Sequence, residues 1–156
     1  MRKLIFVLLF LFISCSKKEI NYVLIQNDKS SEINLFKGIY KVHFMDKQDG
    51  IYNFSIKKQE LFNIKETYNN ENIIKYGKEF LVIDEKTKVM PSFDVKYVIG
   101  FTSGDEQVIT IRSDFRQNPL DNEKYKNLKV FIDKINNIIK SKEEINKAEK
   151  SNALYF

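Results

Sequence analysis

The sequence is short of the residues that build most standard sites. Its 156 residues hold no Trp, one Cys, one His, two Pro and five Gly. One Cys excludes an intramolecular disulfide, and one Cys with one His cannot form a Cys/His zinc cage. Five scattered Gly residues supply no glycine-rich phosphate loop, and no Gly-x-Ser-x-Gly is present to place a serine nucleophile. No run of five or six like charges reads as a nucleic-acid arm. No Pro-, Gly- or Ser-rich linker divides the chain, and no period of 20–50 residues repeats. What is present suits a folded chain: 43% of residues are hydrophobic, 13% aromatic and 30% charged, enough apolar material to bury a core.

The N-terminus carries the most specific pattern. Met1-Arg2-Lys3 is a short positive start, Leu4 to Ile13 is an unbroken apolar run, and Ser14-Cys15 leads into polar Ser16-Lys17-Lys18-Glu19. A basic start, a short apolar run and a small residue at the exit make a secretory signal. The run is too short for a spanning helix, which takes about 20 apolar residues. Phe12-Ile13-Ser14-Cys15 resembles the lipobox of bacterial lipoproteins. That resemblance covers residues 1–16. It implies cleavage before Cys15, acylation of Cys15 and, through Ser16 in place of Asp, sorting to the outer membrane where the cell has one, and otherwise to the cell membrane. It implies no enzymatic activity. Domain organisation follows: signal 1–14, lipidated tether 15–19, one domain over 20–156. Without Arg2 and Lys3 the net charge of +5 falls to +3, so basicity does not argue for nucleic acid.

The body of the chain predicts an α+β fold: an antiparallel sheet of five or six strands with a long C-terminal amphipathic helix packed on one face. Ile20 to Ile25 reads as a strand, with turn formers at 27–31. Tyr40, Val42 and Phe44 alternate with Lys41 and His43, and Tyr52, Phe54 and Ile56 with Asn53 and Ser55, which predicts a hairpin around Asp46–Gly50. Residues 58–68 fit a short helix or a strand. Phe80–Ile83 reads as a short strand and Lys86–Pro91 as a loop. Val95, Tyr97, Ile99 and Phe101 alternate up to Ser103-Gly104-Asp105, and Ile109 and Ile111 return on one face, which predicts a second hairpin. Asn118 with Pro119 and Asp121 reads as a helix start. Leu128, Phe131, Ile132, Ile135, Ile138 and Ile139 form one apolar stripe. Ser141 with Glu144 matches a capping box for a further short helix. The apolar Ala153–Phe156 end is expected to dock on the chain's own core.

Candidate chemistry is sparse. Arg112 and Arg116 are the only arginines after Arg2, and with Asp114 they cluster past the last predicted strand, where a guanidinium can grip a carboxylate or phosphate. The simpler reading is an Arg–Asp surface pair. His43 reads as a strand histidine, since a base or ligand needs partners that the sequence does not offer. Acidic pairs at Asp46/Asp49, Asp84/Glu85, Asp105/Glu106 and Asp121/Glu123 read as turn residues, and Asp46–Gly50 lacks the spacing of an EF-hand loop. Arg112, Asp114, Arg116 and His43 are therefore the candidate ligand-binding residues, with no metal, no cofactor and no catalytic set expected. The favoured expectation is a lipid-anchored, non-enzymatic envelope protein that binds another envelope component, with inhibitor or immunity-type proteins as a sharper variant. The alternative is a small envelope enzyme or ligand carrier built on an Arg/Asp/His cleft.

Overall fold

Alternation of apolar and polar side chains is what turns the longer strands of this chain into half-buried ones. A computed structural model describes residues 18–83, 92–113 and 118–153. It contains strands β1 (Ile20–Asn27), β2 (Ser31–Asn34), β3 (Ile39–Val42), β4 (Gly50–Asn53), β5 (Glu79–Ile83), β6 (Phe93–Phe101) and β7 (Glu106–Ser113). The helices are α1 (Lys58–Asn70), α2 (Lys126–Lys140) and α3 (Glu143–Lys147). The seven strands form one sheet in the order β4-β3-β2-β1-β6-β7-β5. All neighbours are antiparallel except β5 and β7, which run parallel. The fold is α+β, with α2 against the sheet and α1.

The sheet has seven strands where the sequence suggests five or six. The extra strand is β2, whose Ser31-Glu32-Ile33-Asn34 is too short and polar to stand out, yet it pairs on both sides. Tertiary pairing overrides weak local signal there. The turn from β2 to β3 needs Gly38, which sits at φ +63° with its Cα against the Phe54 carbonyl; a Cβ would meet that oxygen at 2.2 Å. Residues 58–70 are helix, because Ile64 and Tyr68 face the core one turn apart. Both expected hairpins form, with Tyr40 opposite Tyr52 and Tyr97 opposite Ile109.

The C-terminal helix starts later than its sequence cap suggests. Asn118 does cap, accepting from Leu120 N–H, but it opens a single 3-10 turn at Pro119–Asp121. A second such turn follows at Glu123–Tyr125, capped by Asn122, before α2 begins. Pro119 and Leu120 are buried in this detour. The Ser141/Glu144 capping box does not form: Ser141 Oγ instead donates to Ile138 O at the end of α2, and Lys142 precedes α3. The expected stripe is the observed core face, with Leu128, Phe131, Ile132, Ile135 and Ile138 buried and Ile139 packed at its margin. Tyr68 stands edge-on between Phe101 of β6 and Phe131 of α2, at 5.9 and 5.6 Å between ring centres. Burying one such aromatic contributes roughly 1.5–3 kcal/mol. The 86–91 loop and residues 154–156 lie outside the described residues.

Candidate functional site

The phase of the strands decides which side chains remain available. Val23, Ile25, Tyr97, Ile99, Ile109 and Ile111 point to the helices and are buried, so their neighbours in sequence point to the opposite face. There Leu24, Val98 and Val108 stand in one row across β1, β6 and β7, each half-buried. Next to that row the Tyr22 ring lies over Gly100, where a Cβ would meet ring carbon at 2.1 Å, and the Tyr22 hydroxyl donates to Glu106. Leu81 and Ile51, on the outer strands of this face, are 46% and 65% exposed. Among the described residues no helix covers this face.

Arg112 lies on the same face near the end of β7, opposite Asp94 of β6. Its Nε and Nη2 donate to the two Asp94 carboxylate oxygens, each at 2.8 Å. This bidentate pair holds the Asp94 carboxyl below the usual carboxylate range, chiefly through the hydrogen bonds from Arg112 and against the opposing effect of burial. The guanidinium is half-buried and already matched, the arrangement that an Arg–Asp pair alone explains. Among the described residues its partner is Asp94. Asp114, Arg116 and Cys15 lie outside the described residues.

His43 follows β3 at the same end and on the same face. Its Nδ1 stands 3.1 Å from Asp49 Oδ2, which requires the proton on Nδ1 because a carboxylate only accepts. Lys41 Nζ reaches the same oxygen at 3.0 Å. The hydrogen bond from Lys41 leads in keeping the Asp49 carboxyl low, burial works against it, and the His43 contact adds to it. His43 and Arg112 are separated by four strand spacings (β3, β2, β1, β6, β7), roughly 19 Å. The structure gives each a different acidic partner and does not bring the two into one cleft. Among the described residues no group of three His, Cys, Asp or Glu side chains is placed to hold a metal.

Surface depressions lie elsewhere among the described residues. One of about 350 Å³ lies beside the start of β1 and is lined by Glu19, Phe36, Lys58, Leu61, Phe62 and Lys65 among others. One of about 160 Å³ flanks it near Lys18, Ile74 and Lys78. The third, about 250 Å³, lies by Tyr97, Asn118 and Asn136 on the helix side. Arg112 and His43 line none of these three.

Two buried polar arrangements escaped sequence reading. Gln107 is 1% exposed; its Nε2 donates to Ile73 O and Gly77 O at 3.1 and 2.6 Å, and its Oε1 accepts from Tyr68 OH at 2.9 Å. The signal was there, since the phase that turns Ile109 and Ile111 inward also turns Gln107 inward. Lys142 Nζ donates to both Glu60 oxygens at 2.8 and 2.7 Å, tying the α2–α3 junction to the first turn of α1. No local pattern pairs residues 82 positions apart. Both arrangements tie distant segments together and serve packing. No protein-family model matches the chain, and no curated protein and no solved structure matches it.

Proposed function

We propose that the chain is an exported protein held on the cell membrane or outer membrane by lipid on Cys15, and that its domain is a non-enzymatic binding module for another envelope protein, of which an inhibitor or immunity-type role is one form. The observation that carries the binding part is the uncovered sheet face. Its Leu24–Val98–Val108 row is a short apolar strip of the kind that protein partners cover, beside the polar row Lys41–Glu32–Gln26–Lys96–Thr110 that ends in exposed Ile51 and Leu81. Charged groups share the face, Glu32, Lys96 and Glu106 beside the strip and the matched pairs Asp94 with Arg112 and Asp49 with Lys41 and His43 farther out, which suits the polar surround of an interface better than a reaction centre. The N-terminal pattern supports the anchoring part, and in the described residues no helix is long and apolar enough to cross a membrane.

Two experiments test this reading. Cys15→Ala abolishes labelling by radioactive palmitate and moves the protein to the soluble fraction; unchanged labelling refutes the anchor. A photo-crosslinker at position 98 in the native envelope yields one discrete adduct, which a crosslinker on the outer side of α2 at Val130 does not. Equal, diffuse labelling from both positions refutes a partner on the sheet.

A further inference from the structure

The sheet end where β1 begins differs from the rest of the surface. Glu19, Phe36, Lys58, Leu61, Phe62 and Lys65 surround one shallow depression there. Phe62, on the outer side of α1, is 57% exposed, and Ile74, beside the adjoining depression with Lys18 and Lys78, is 43% exposed. Two of the large apolar side chains left in solvent thus flank the first described residues of the chain. At this end Lys65 Nζ meets Glu19 at 3.0 Å and Lys18 Nζ meets Asp105 at 2.8 Å, while Glu106 in the adjoining depression accepts from the Tyr22 hydroxyl. Lys37 and Lys58 are exposed and form no ion pair among the described residues, while Glu66 borders the patch one helical turn past Phe62. The pattern is two exposed apolar side chains, with Lys58 beside Phe62 and Lys37 on the β2–β3 turn at the same end of the sheet, which fits an anionic lipid surface.

Covalent geometry brings such a surface within reach. Glu19 lies four residue steps after Cys15, and four steps of chain span at most about 14 Å. From these observations we propose that the end of the domain formed by Phe62, Ile74, Lys37 and Lys58 rests on the anionic headgroups of the membrane that holds Cys15. Phe62 reaches past the headgroups, and the open sheet face is left standing roughly upright for a partner. The inference builds on the reading of Cys15 as the lipid anchor. Binding geometry follows from it: the tether sets distance, and the patch sets orientation.

The chain contains no Trp, so a single introduced Trp reports its own surroundings. Full-length, lipidated protein carrying Phe62→Trp is reconstituted into vesicles of phosphatidylglycerol and phosphatidylcholine with bromine-labelled acyl chains. Met45→Trp serves as control; Met45 is 65% exposed at the far end of the sheet, roughly 25 Å away along the strands. Palmitate labelling is measured on the same preparations. The expected result is labelling of both proteins, strong bromolipid quenching at position 62 and none at 45. Adding Lys37→Glu with Lys58→Glu lowers the quenching at 62, the more so the higher the anionic lipid fraction. Intact labelling with equal quenching at 62 and 45 overturns the inference while the anchor stands. Shielding of position 62 from aqueous iodide in native envelopes, without bromolipid quenching, assigns the patch to a protein and also overturns it. Absence of labelling removes the anchor and the inference with it.

Discussion

The Glu60–Lys142 pair permits a quantitative test of how this fold is held together. The side chains are 20% and 8% exposed, and Glu60 Oε2 also accepts from Lys57 N–H at 2.7 Å, closing the first turn of α1. Glu60→Gln keeps an oxygen for Lys57 and removes only the charge, leaving a buried ammonium facing a neutral amide. Breaking a fully buried pair costs about 3–5 kcal/mol. Water reaches the Glu60 side, so we expect about 2–3 kcal/mol, or a fall in Tm of about 6–10 °C for a chain of this size. Lys142→Met leaves the better-solvated partner behind, with Lys57 still donating to it, and should cost about 1–2 kcal/mol. Replacing both removes the orphaned charge, so the double variant should lose less than the sum by about 1 kcal/mol or more. Urea unfolding of the four proteins measures this cycle. The Glu60 carboxyl adds a pH signature. Burial, the largest single influence, pushes it up, but Lys142 and the Lys57 N–H together hold it below its ordinary value. A lowered carboxyl contributes stability above its ordinary range and loses it as pH falls through the folded value, so the gap between native protein and Glu60→Gln should close in acid. Additive single costs, or a larger loss from Lys142→Met than from Glu60→Gln, would refute the reasoning.

Three further outcomes are expected. Gly100→Ala, whose Cβ would collide with the Tyr22 ring, should cost about 1–3 kcal/mol in the native background and much less with Tyr22→Ala, measured by thermal melts of the single and double variants; an unchanged cost would mean that the ring is not what crowds position 100. Burial pushes the Tyr97 hydroxyl up from near 10 to about 12, with Asn136 opposing, and burial also raises Tyr68. Raised phenols contribute stability that is complete below pH 10 and lost as pH rises toward the folded values, so Tyr97→Phe should flatten the fall in stability between pH 10 and 12, and a parallel fall in the variant would contradict it. Asp94→Asn should remove part of the acid sensitivity of unfolding, since the lowered Asp94 carboxyl helps above its ordinary range and stops helping as pH drops through the folded value; its half-exposed partner limits the effect at neutral pH to about 1 kcal/mol or less.

Alternation and helical spacing were legible wherever a segment meets the core with one clear face. The 95–111 hairpin and the Leu128–Ile138 stripe show this, because burial there selects every second residue, or every third and fourth. Legibility failed where pairing partners, and not the segment's own pattern, supply the stability. β2 forms because β1 and β3 flank it, and the parallel β5–β7 contact joins strands with β6 between them in sequence. The candidate site divided along the same line. Arg112 could be singled out from its rarity and an acidic partner expected, but the partner proved to be Asp94 across the strand pair. His43 could be placed on the polar face of its strand, while Asp49 and Lys41 meeting at one oxygen depends on how the loop folds back.

By itself the sequence determined the residues that face inward, the α+β layering and the basic, apolar and Ser14-Cys15 order of the N-terminus that resembles a lipoprotein signal, since hydrophobic period and covalent order are local properties. Only the tertiary structure decided the strand order, the partners of Arg112, His43 and Lys142, and the placement of Phe62 and Lys58 beside the start of β1. Those are contacts between residues far apart in the chain, and their cost in loop closure is met by burial that no single segment carries.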